Sequence, residues 1–352
     1  MKISKTTTAK EKPADPAKYP WGSVFSDHMF IIDYKDGQGW HDPRIVPYGP
    51  ISISPAAKCF HYGQELFEGM KAYNTADGGV AMFRPIENMK RINNSCVRMC
   101  MPQINEEEMV SAIAELVRLD KSWIPTATGT SLYIRPFMIA TEAAVAAHPS
   151  HEYMFIVIMS PVAAYYPNGL APVRIYVEHK DVRAVRGGTG EAKCGGNYAA
   201  SMRAQAEAEK KGYAQVLWLD GVEQKYIEEV GAMNVWFVID GKAITPALNG
   251  SILPGITRKS VAQVLKDWNI HVEERKISIE EVAAAYKAGK LQEVFGTGTA
   301  AVISPVGELK YDELVMNIND GKIGSISQRL YDEITGIQSG KVADRHGWVY
   351  RV

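Results

Sequence analysis

Short apolar runs rich in β-branched and aromatic residues alternate with amphipathic segments along the chain. The runs at 154–159, 173–179, 214–219 and 234–239 have the length and composition of strands. Asp-Gly pairs follow the last two runs, and this pair favours tight hairpin turns because glycine tolerates a positive φ. The pattern therefore predicts antiparallel strands in the second half of the chain.

Helix-start signals precede the amphipathic segments. Pro85 opens a helix that continues to about residue 100, and Asn105 begins another that reaches about residue 119. An Ala-rich segment at 198–211 ends at Gly212, and Ser278 forms a capping box with Glu281. Strands and helices do not alternate as they do in a doubly wound sheet, so the predicted fold class is α+β.

The domain organisation is predicted from one Pro- and Gly-containing stretch near the middle of the chain. We interpret residues 166–173 as an interdomain linker between a small N-terminal domain, 21–165, and a large C-terminal domain, 174–352. Residues 1–20 are rich in Lys and Thr and lack the apolar core of a signal peptide. We expect them to form a mobile arm.

Composition and charge exclude several functional classes. The 352 residues carry 39 Lys and Arg against 40 Asp and Glu, so the net charge of −1 lacks the basic excess of a general nucleic-acid binder. No segment approaches the roughly 20 apolar residues of a membrane span. Four cysteines are too few for a disulfide scaffold, and Cys96 and Cys100 are predicted to pack in a core rather than to bind metal. We expect a cytoplasmic protein without a metal, nucleic-acid or membrane partner.

A dinucleotide-like pattern, G-x-G-x-x-A, occupies residues 296–301. That fingerprint requires a helix directly after it, whereas β-branched residues and Pro305 follow here. The pattern therefore predicts a tight turn, which either is structural or holds an anion on its exposed N–H groups.

Five glycines surround a single lysine, Lys193, in the segment 187–197. Glycine at this density lets the backbone approach a bound group closely. Two interpretations follow from the residues alone. Lys193 is either a solvated loop lysine or a lysine held in a cleft to form a Schiff base.

The motifs around Lys193 favour the second interpretation. K-C-G-G-N-Y, V-L-W-L-D-G, E-E-V-G-A-M-N, L-N-G-S-I-L-P-G-I-T-R and E-V-F-G-T-G-T-A follow one another in the second half. The first half contains F-S-D-H-M, H-Y-G-Q-E-L-F-E-G-M-K-A-Y, F-R-P-x-x-N-M-x-R and G-T-S-L-Y-I-R-P. In this order they resemble the branched-chain amino acid aminotransferases, which are pyridoxal 5'-phosphate enzymes of fold type IV. The resemblance covers about residues 21–350.

The resemblance implies a two-domain α/β fold with the cofactor between the domains, and a role for each matching residue. Lys193 resembles the catalytic Schiff-base lysine, and Glu229 resembles the carboxylate that keeps the pyridine nitrogen protonated. Glu228 is its neighbour, and in an extended segment only one of the two can reach the ring. The remaining implied cofactor ligands are Arg84 for the phosphate, Tyr198 for the 3-oxygen, and Ile256, Thr257 and Thr299 for the phosphate through their turns.

The substrate pocket implied by the family is apolar, with a polar rim for the second carboxylate of glutamate. Its predicted members are Tyr62, Phe67, Tyr133, Arg135, Tyr165, Thr299 and Ala300. The implied reaction moves the α-amino group of Leu, Ile or Val to 2-oxoglutarate, in a homodimer at minimum. Two alternatives of the same fold are a D-amino acid transaminase and an aminodeoxychorismate lyase, and a non-enzymatic ligand binder is the alternative from another class. The redox C-x-x-C pair of mammalian members is replaced here by Ala301 and Ser304.

Overall fold

The computed structural model describes residues 1–165 and 169–352. The first three residues of the predicted linker, 166–168, lie outside the described residues. The strands and helices follow one another along the chain as β1 (Lys2–Ile3), β2 (His28–Lys35), β3 (Gly39–Pro47), α1 (Lys58–Tyr62), β4 (Glu65–Phe67), β5 (Met70–Asn74), β6 (Val80–Phe83), α2 (Pro85–Met99), α3 (Glu106–Leu119), β7 (Ser131–Ala140), β8 (Glu152–Val162), β9 (Val173–Val177), α4 (Gly195–Lys210), β10 (Gln215–Leu219), β11 (Ile227–Val230), β12 (Met233–Ile239), β13 (Lys242–Pro246), α5 (Ile256–Asp267), β14 (Val272–Arg275), α6 (Ile279–Lys287), β15 (Leu291–Gly298), β16 (Val302–Tyr311), β17 (Leu314–Asn317), α7 (Ser325–Gln338) and β18 (Val349–Arg351).

The chain divides into two compact units. The first unit contains Met1–Pro167, Ala192–Gly195 and Gly336–Val352, and the second contains Asn168–Glu191 and Gly196–Thr335. Two segments of the predicted C-terminal domain thus group with the first unit. The C-terminal segment does so because β18 pairs with β6, and the lysine segment does so because the Phe67 N–H donates to the Lys193 carbonyl.

The first unit is built on a mixed sheet in the order β1-β3-β2-β8-β7-β5-β6-β18, with β4 paired to β7. One face of the sheet packs against α2 and α3, and apolar residues such as Met89, Ile113 and Phe155 form this core. Along β7, the even-numbered side chains from Leu132 onward are buried, whereas Arg135, Phe137 and Ile139 on the other face are partly exposed. Alternation of this kind leaves the second face available for a site.

Residues 1–20, predicted to form an arm, contact the rest of the first unit at several points. Lys2 and Ile3 pair with β3 in parallel, and the Lys10 N–H donates to the Asp27 carboxylate at 2.8 Å. The Thr6 N–H also lies 3.0 Å from Nε2 of His28.

The second unit is a sheet in the order β11-β10-β9-β16-β15-β12-β13-β14, and an additional β11–β12 pairing closes six of its strands into a ring. The predicted hairpin at Asp240-Gly241 is confirmed, because Ile239 pairs with Lys242 across two residues of positive φ. Asp220-Gly221 does not make a tight turn. The Asp220 carboxylate instead accepts four backbone N–H groups, at residues 222, 223, 225 and 226, and so stabilises a longer loop.

Two further sequence-based predictions concern the ends of these elements. Asn105 caps α3 by accepting from the Glu108 N–H, and Ser278 caps α6 by accepting from the Glu281 N–H, as expected. The dinucleotide-like segment turns from β15 into the antiparallel β16 and opens no helix, which confirms that it is not a dinucleotide fingerprint. Within residues 1–165 and 169–352, no helix is long and apolar enough to cross a membrane.

Candidate active site

The backbone around Lys193 is fixed at three points within the first unit. The Lys193 N–H donates to the Ser95 hydroxyl of α2 at 3.0 Å, and the Lys193 carbonyl accepts from the Phe67 N–H of β4 at 2.9 Å. The Gly195 N–H donates to the Glu65 carboxylate, also of β4. The lysine that the sequence analysis singled out is therefore held by secondary structure and is not a solvated loop residue.

The side-chain amine of Lys193 lies 4.6 Å from the centre of the Phe67 ring. Burial, together with the charges of Arg91 and Arg135, lowers the pKa of Lys193 to about 8, whereas Glu68 and Tyr133 act in the opposite direction. About one amine in ten is then neutral at pH 7, against fewer than one in a thousand for an ordinary lysine. A neutral amine is the form that acts as a nucleophile or a base.

Three of the predicted substrate residues lie together in the first unit. Nη2 of Arg135 donates to the Tyr133 hydroxyl at 2.9 Å, and the guanidinium carbon lies 4.6 Å from the centre of the Phe67 ring. Nε of Arg135 is buried and has no hydrogen-bond partner among the described residues. An unpartnered buried donor is costly unless a ligand accepts from it, so this N–H is suited to binding an anion or carbonyl group.

The other two predicted pocket aromatics are more exposed. Tyr62 ends α1 with 45% of its surface exposed and lies beside the His61 ring, and Tyr165 is 41% exposed. Their assignment to the substrate pocket stays a prediction.

Arg84 immediately precedes α2 and has a left-handed backbone, with φ of 51°. Its side chain is buried, lies 4.9 Å from the centre of the Trp348 ring, and has Glu87 3.6 Å away. The Arg84 N–H also donates to the Trp348 carbonyl at 2.7 Å. Burial lowers the pKa of Arg84, although Glu87 opposes this effect. A buried guanidinium presents a planar fork of donors, which matches the oxygens of a phosphate.

The two neighbouring glutamates of β11, in the second unit, have different partners. Glu229 accepts from the Leu253 N–H at 2.8 Å, and its other oxygen lies 3.3 Å from Nε of Arg183. Glu228 accepts from the Ser251 hydroxyl and from Asn249. Its second oxygen is buried without a hydrogen-bond partner among the described residues. Burial raises the pKa of Glu228 despite these hydrogen bonds.

A row of polar side chains crosses the sheet of the second unit next to Glu229. Glu229 pairs with Asn234 on β12, and Asn234 pairs with Thr297 on β15, so the three side chains share one face. The Asn234 amide donates to the Leu253 carbonyl at 2.9 Å. The Thr297 hydroxyl is buried and, within the described residues, has no hydrogen-bond partner.

The same row positions the N-terminus of α5. A Cβ at Gly255 would lie 3.1 Å from Cγ of Asn234, so only glycine lets the chain enter the helix at this point. Ile256 and Thr257 are the first two helical residues, and their N–H groups have no acceptor in the preceding turn of the helix. Such a helix start favours an anion.

The turn that carries Thr299 and Ala300 joins β15 to β16. Val302, directly after it, has φ of 64°, a conformation that costs a β-branched residue about 1–3 kcal/mol. Backbone strain of this kind is often found at functional turns. Tyr198 lies in the first turn of α4 and is partly buried, and its carbonyl accepts from the Ser201 hydroxyl at 2.7 Å.

Four residues of these surroundings were not singled out from the sequence, although two lie within quoted motifs. They are Glu68, Arg91, Arg183 and Trp348. Glu68 and Arg91 form a fully buried ion pair, with Nε of Arg91 2.6 Å from the carboxylate. A glutamate in F-E-G and an arginine in N-M-K-R carry no signal that they pair, because their contact depends on the packing of β4 against α2.

One further cluster lies in the first unit. Glu142, His148 and His151 form the only group, among the described residues, whose spacing could hold a metal ion. The buried Lys58 ammonium lies 3.0 Å from the Glu142 carboxylate and 3.1 Å from Nε2 of His148. Since an ammonium repels a second cation, we interpret this group as an ion-pair cluster.

Comparisons with known proteins agree with these features. Residues 65–309 match the family model for amino-transferase class IV. The chain is 56% identical over 352 residues to branched-chain-amino-acid aminotransferase 2 of Bacillus subtilis strain 168, covering 100% of this chain and 97% of that protein. It is 47% identical over 337 residues to the branched-chain-amino-acid aminotransferase of Mycolicibacterium smegmatis, covering 94% and 92%.

Solved structures extend the similarity to the fold. A branched-chain amino acid aminotransferase complexed with N-(5'-phosphopyridoxyl)-L-glutamate, from the organism abbreviated T.th., has a TM-score of 0.74 and 29% identity, covering 91% of this chain and 97% of that one. The Escherichia coli branched-chain amino acid aminotransferase also has a TM-score of 0.74, with 28% identity and coverage of 91% and 97%. These relatives favour the branched-chain group over the D-amino acid transaminase and lyase alternatives. The chain belongs to the class IV aminotransferases, within the branched-chain amino acid aminotransferase group.

Proposed function

We propose that the protein transfers the α-amino group of L-Leu, L-Ile or L-Val to 2-oxoglutarate, with pyridoxal 5'-phosphate as its cofactor. The products are the branched-chain 2-oxo acid and L-glutamate. The observation that carries this proposal is Lys193, whose backbone is fixed at three points and whose pKa is lowered to about 8. The relatives' names supply the substrate class.

The residues fit the chemical groups of this cofactor. In the first unit, Lys193 offers an amine for the aldehyde carbon, and Arg84 offers a buried cation for the phosphate. In the second unit, the start of α5 offers N–H groups for the phosphate, and Glu229 offers a buried carboxylate for the pyridinium N–H. The buried Thr297 hydroxyl lies on the same face as Glu229 and has no hydrogen-bond partner among the described residues, so it can donate to or accept from a bound group.

The bound cofactor supplies an electron sink, which lets the Cα–H bond of the amino acid break. Nζ of Lys193 would take the proton from Cα of the amino acid and would then deliver it to the aldehyde-derived carbon of the bound cofactor. A pKa of about 8 suits both steps, because general acid–base catalysis works best when the pKa lies near the working pH. Arg183 lies beside the Glu229 carboxylate, and its charge offsets part of the cost of burying a negative group.

The substrate side chain would lie against the Phe67 and Tyr133 rings, which favour an apolar group. Glutamate must use the same pocket with its second carboxylate. We assign that carboxylate to Arg135, whose Nε is unpartnered and whose Nη2 already orients the Tyr133 hydroxyl. Tyr62 and Tyr165 complete the proposed pocket, and the Thr299–Ala300 turn would bind the α-carboxylate through its N–H groups.

The experiment that tests this function is Lys193→Ala, measured with leucine and 2-oxoglutarate. We expect turnover to fall to the background rate, because no other amine replaces Lys193, while the melting temperature stays close to that of the parent. Lys90→Ala, an exposed lysine on α2, is the matched control and should keep full activity. Full turnover by Lys193→Ala without an added amine would refute the assignment.

We further propose that the enzyme acts as a cytoplasmic homodimer. Two aromatic residues of α1 support an interface, since Phe60 is 61% exposed and Tyr62 is 45% exposed. All four cysteines are free thiols, as expected in a reducing compartment. Sedimentation of the holoenzyme tests the dimer, and a monomer at micromolar concentration with full activity would refute it.

A further inference from the structure

One face of α2 serves both the backbone of Lys193 and a buried ion pair. Asn88, Arg91 and Ser95 are spaced three and four residues apart, so they lie on the same side of the helix. The Ser95 hydroxyl accepts from the Lys193 N–H, whereas Asn88 and Arg91 both donate to the Glu68 carboxylate. A shift of α2 that breaks the Glu68–Arg91 pair would therefore also disturb the hydrogen bond from Lys193 to Ser95.

The strand opposite this face makes the same two connections. In β4, Phe67 donates to the Lys193 carbonyl, and Glu65 accepts from the Gly195 N–H. Glu68 follows directly, and its own N–H donates to the Pro136 carbonyl at 2.7 Å. The Lys193 backbone and the Glu68 carboxylate are thus held between the same strand and the same helix.

The Glu68 carboxylate is fully occupied by donors. Arg91 donates from Nε at 2.6 Å and from Nη2 at 2.9 Å, Asn88 donates at 2.7 Å, and the Gly69 N–H donates at 3.1 Å. Burial alone would raise the pKa of Glu68, but the Arg91 charge and these hydrogen bonds outweigh it and hold the pKa below its usual value. Glu68 is therefore an ionised carboxylate with 0% exposure.

We propose that Glu68 and Arg91 are positioning residues that together set the charge state of Lys193 while they hold β4 against α2. The proposal rests on the proposed role of Lys193. Four groups facing the lysine influence it: Glu68 after β4, Arg91 on α2, and Tyr133 and Arg135 on β7. Of their charges, that of Arg91 has the largest influence and opposes protonation, whereas that of Glu68 favours it.

Removing the two partners singly must then move the pKa of Lys193 in opposite directions. In Glu68→Gln, the lysine faces Arg91 without the compensating carboxylate, so its pKa falls. In Arg91→Met, the cation is lost while Asn88 and the Gly69 N–H still donate to the Glu68 carboxylate, so the pKa of Lys193 rises. A neighbouring charge shifts a pKa by about one unit or more, so we expect each shift to be about one pH unit.

The test measures the pKa of Lys193 directly in the full chain, after hydroxylamine has released any bound aldehyde cofactor as its oxime and dialysis has removed both. Trace acetylation with acetic anhydride across a pH series that brackets the expected midpoint, followed by mass spectrometry of the Lys193 peptide, gives the pH at which the amine becomes reactive. The parent should have its midpoint near pH 8. Opposite shifts in Glu68→Gln and Arg91→Met support the proposal, and shifts of the same sign, or none, overturn it.

Two further variants separate charge from packing. Glu142→Gln removes the carboxylate partner of the buried Lys58 and is the control, with no shift expected at Lys193. If Glu68→Gln fails to fold, Glu68→Leu combined with Arg91→Met removes both charges, and the midpoint of Lys193 should return towards that of the parent because the two opposite effects offset each other. A midpoint as far from the parent value as that of Arg91→Met alone overturns the proposal. Acetylation does not depend on turnover, so this outcome is distinct from failure of the Lys193→Ala test.

Discussion

The replacement Gly69→Ala tests how the proposed substrate-binding face is built, because Gly69 lies directly against Tyr133. A Cβ at position 69 would lie 3.0 Å from Cζ of Tyr133 and 3.3 Å from Cε2, with the hydroxyl oxygen closer still. Gly69 does not have a left-handed backbone, so the obstacle is space and not conformation. Tyr133 must therefore move when any side chain is introduced.

The size of the effect follows from these distances. Carbon atoms in optimal contact are about 3.5–4.0 Å apart, so the Tyr133 ring must shift by roughly 0.5–1 Å. The ring cannot shift freely, because Trp21 packs against it at 4.6 Å between centroids. Overpacking of this kind lowers the free energy of unfolding by about 1–3 kcal/mol. The shift also moves the Tyr133 hydroxyl away from Nη2 of Arg135, so kcat/KM should fall more for 2-oxoglutarate than for leucine.

Urea unfolding and steady-state kinetics with both substrates measure these effects. Gly49→Ala is the matched control, since a Cβ there meets no atom within 4 Å and the backbone is not left-handed, and it should behave as the parent. Adding Tyr133→Phe to Gly69→Ala removes the closest clashing atom and should recover part of the lost stability. If Gly69→Ala unfolds at the same urea concentration as Gly49→Ala, Tyr133 does not pack against Gly69 and the reasoning is refuted.

Three more substitutions test the proposed site. Glu229→Gln should lower kcat by about 10- to 100-fold through loss of a charge-assisted hydrogen bond, and far more than Glu228→Gln; the reverse order in steady-state assays would exchange their roles. Arg84→Ala should weaken cofactor binding, measured by fluorescence titration, without changing the preference among amino acids; a changed preference at constant cofactor affinity would contradict it. Arg135→Ala should raise KM for glutamate and 2-oxoglutarate while leucine is nearly unaffected, and single-turnover spectra showing equal losses would place Arg135 elsewhere.

The local elements could be predicted from the sequence wherever a short-range signal defines them. Pro85 at the start of α2, the Asn105 and Ser278 caps and the Asp240-Gly241 turn all depend on neighbours within a few residues. The prediction of a tight hairpin turn at Asp220-Gly221 was wrong. Its aspartate side chain competes for the backbone N–H groups that a tight turn would leave to the strands.

The contacts that could not be predicted from the sequence are long-range pairings. The pairing of β18 with β6 joins residues more than 260 positions apart, and no local sequence pattern predicts it. The same applies to Trp348, which reaches Arg84 only through this pairing, and to the Glu68–Arg91 pair. The proposed roles of Lys193 and Glu229 came from ordered motifs, but the groups that contact these two residues depend on tertiary packing.

The glycines around Lys193 have a different physical role from the one expected from their density in the sequence. Their density suggested close approach of a bound group, yet at two of them other atoms of the protein fill the space that a Cβ would need. A Cβ at Gly190 would lie 2.7 Å from the Cβ of Ala184, and one at Gly195 would lie 3.1 Å from Cδ of Glu65. Gly196, by contrast, meets no atom within 4 Å. The lack of a side chain at Gly195 therefore lets its N–H donate to Glu65 and helps to fix the Lys193 backbone, and a fixed backbone with a half-neutral amine near pH 8 is what the proposed catalytic role of Lys193 requires.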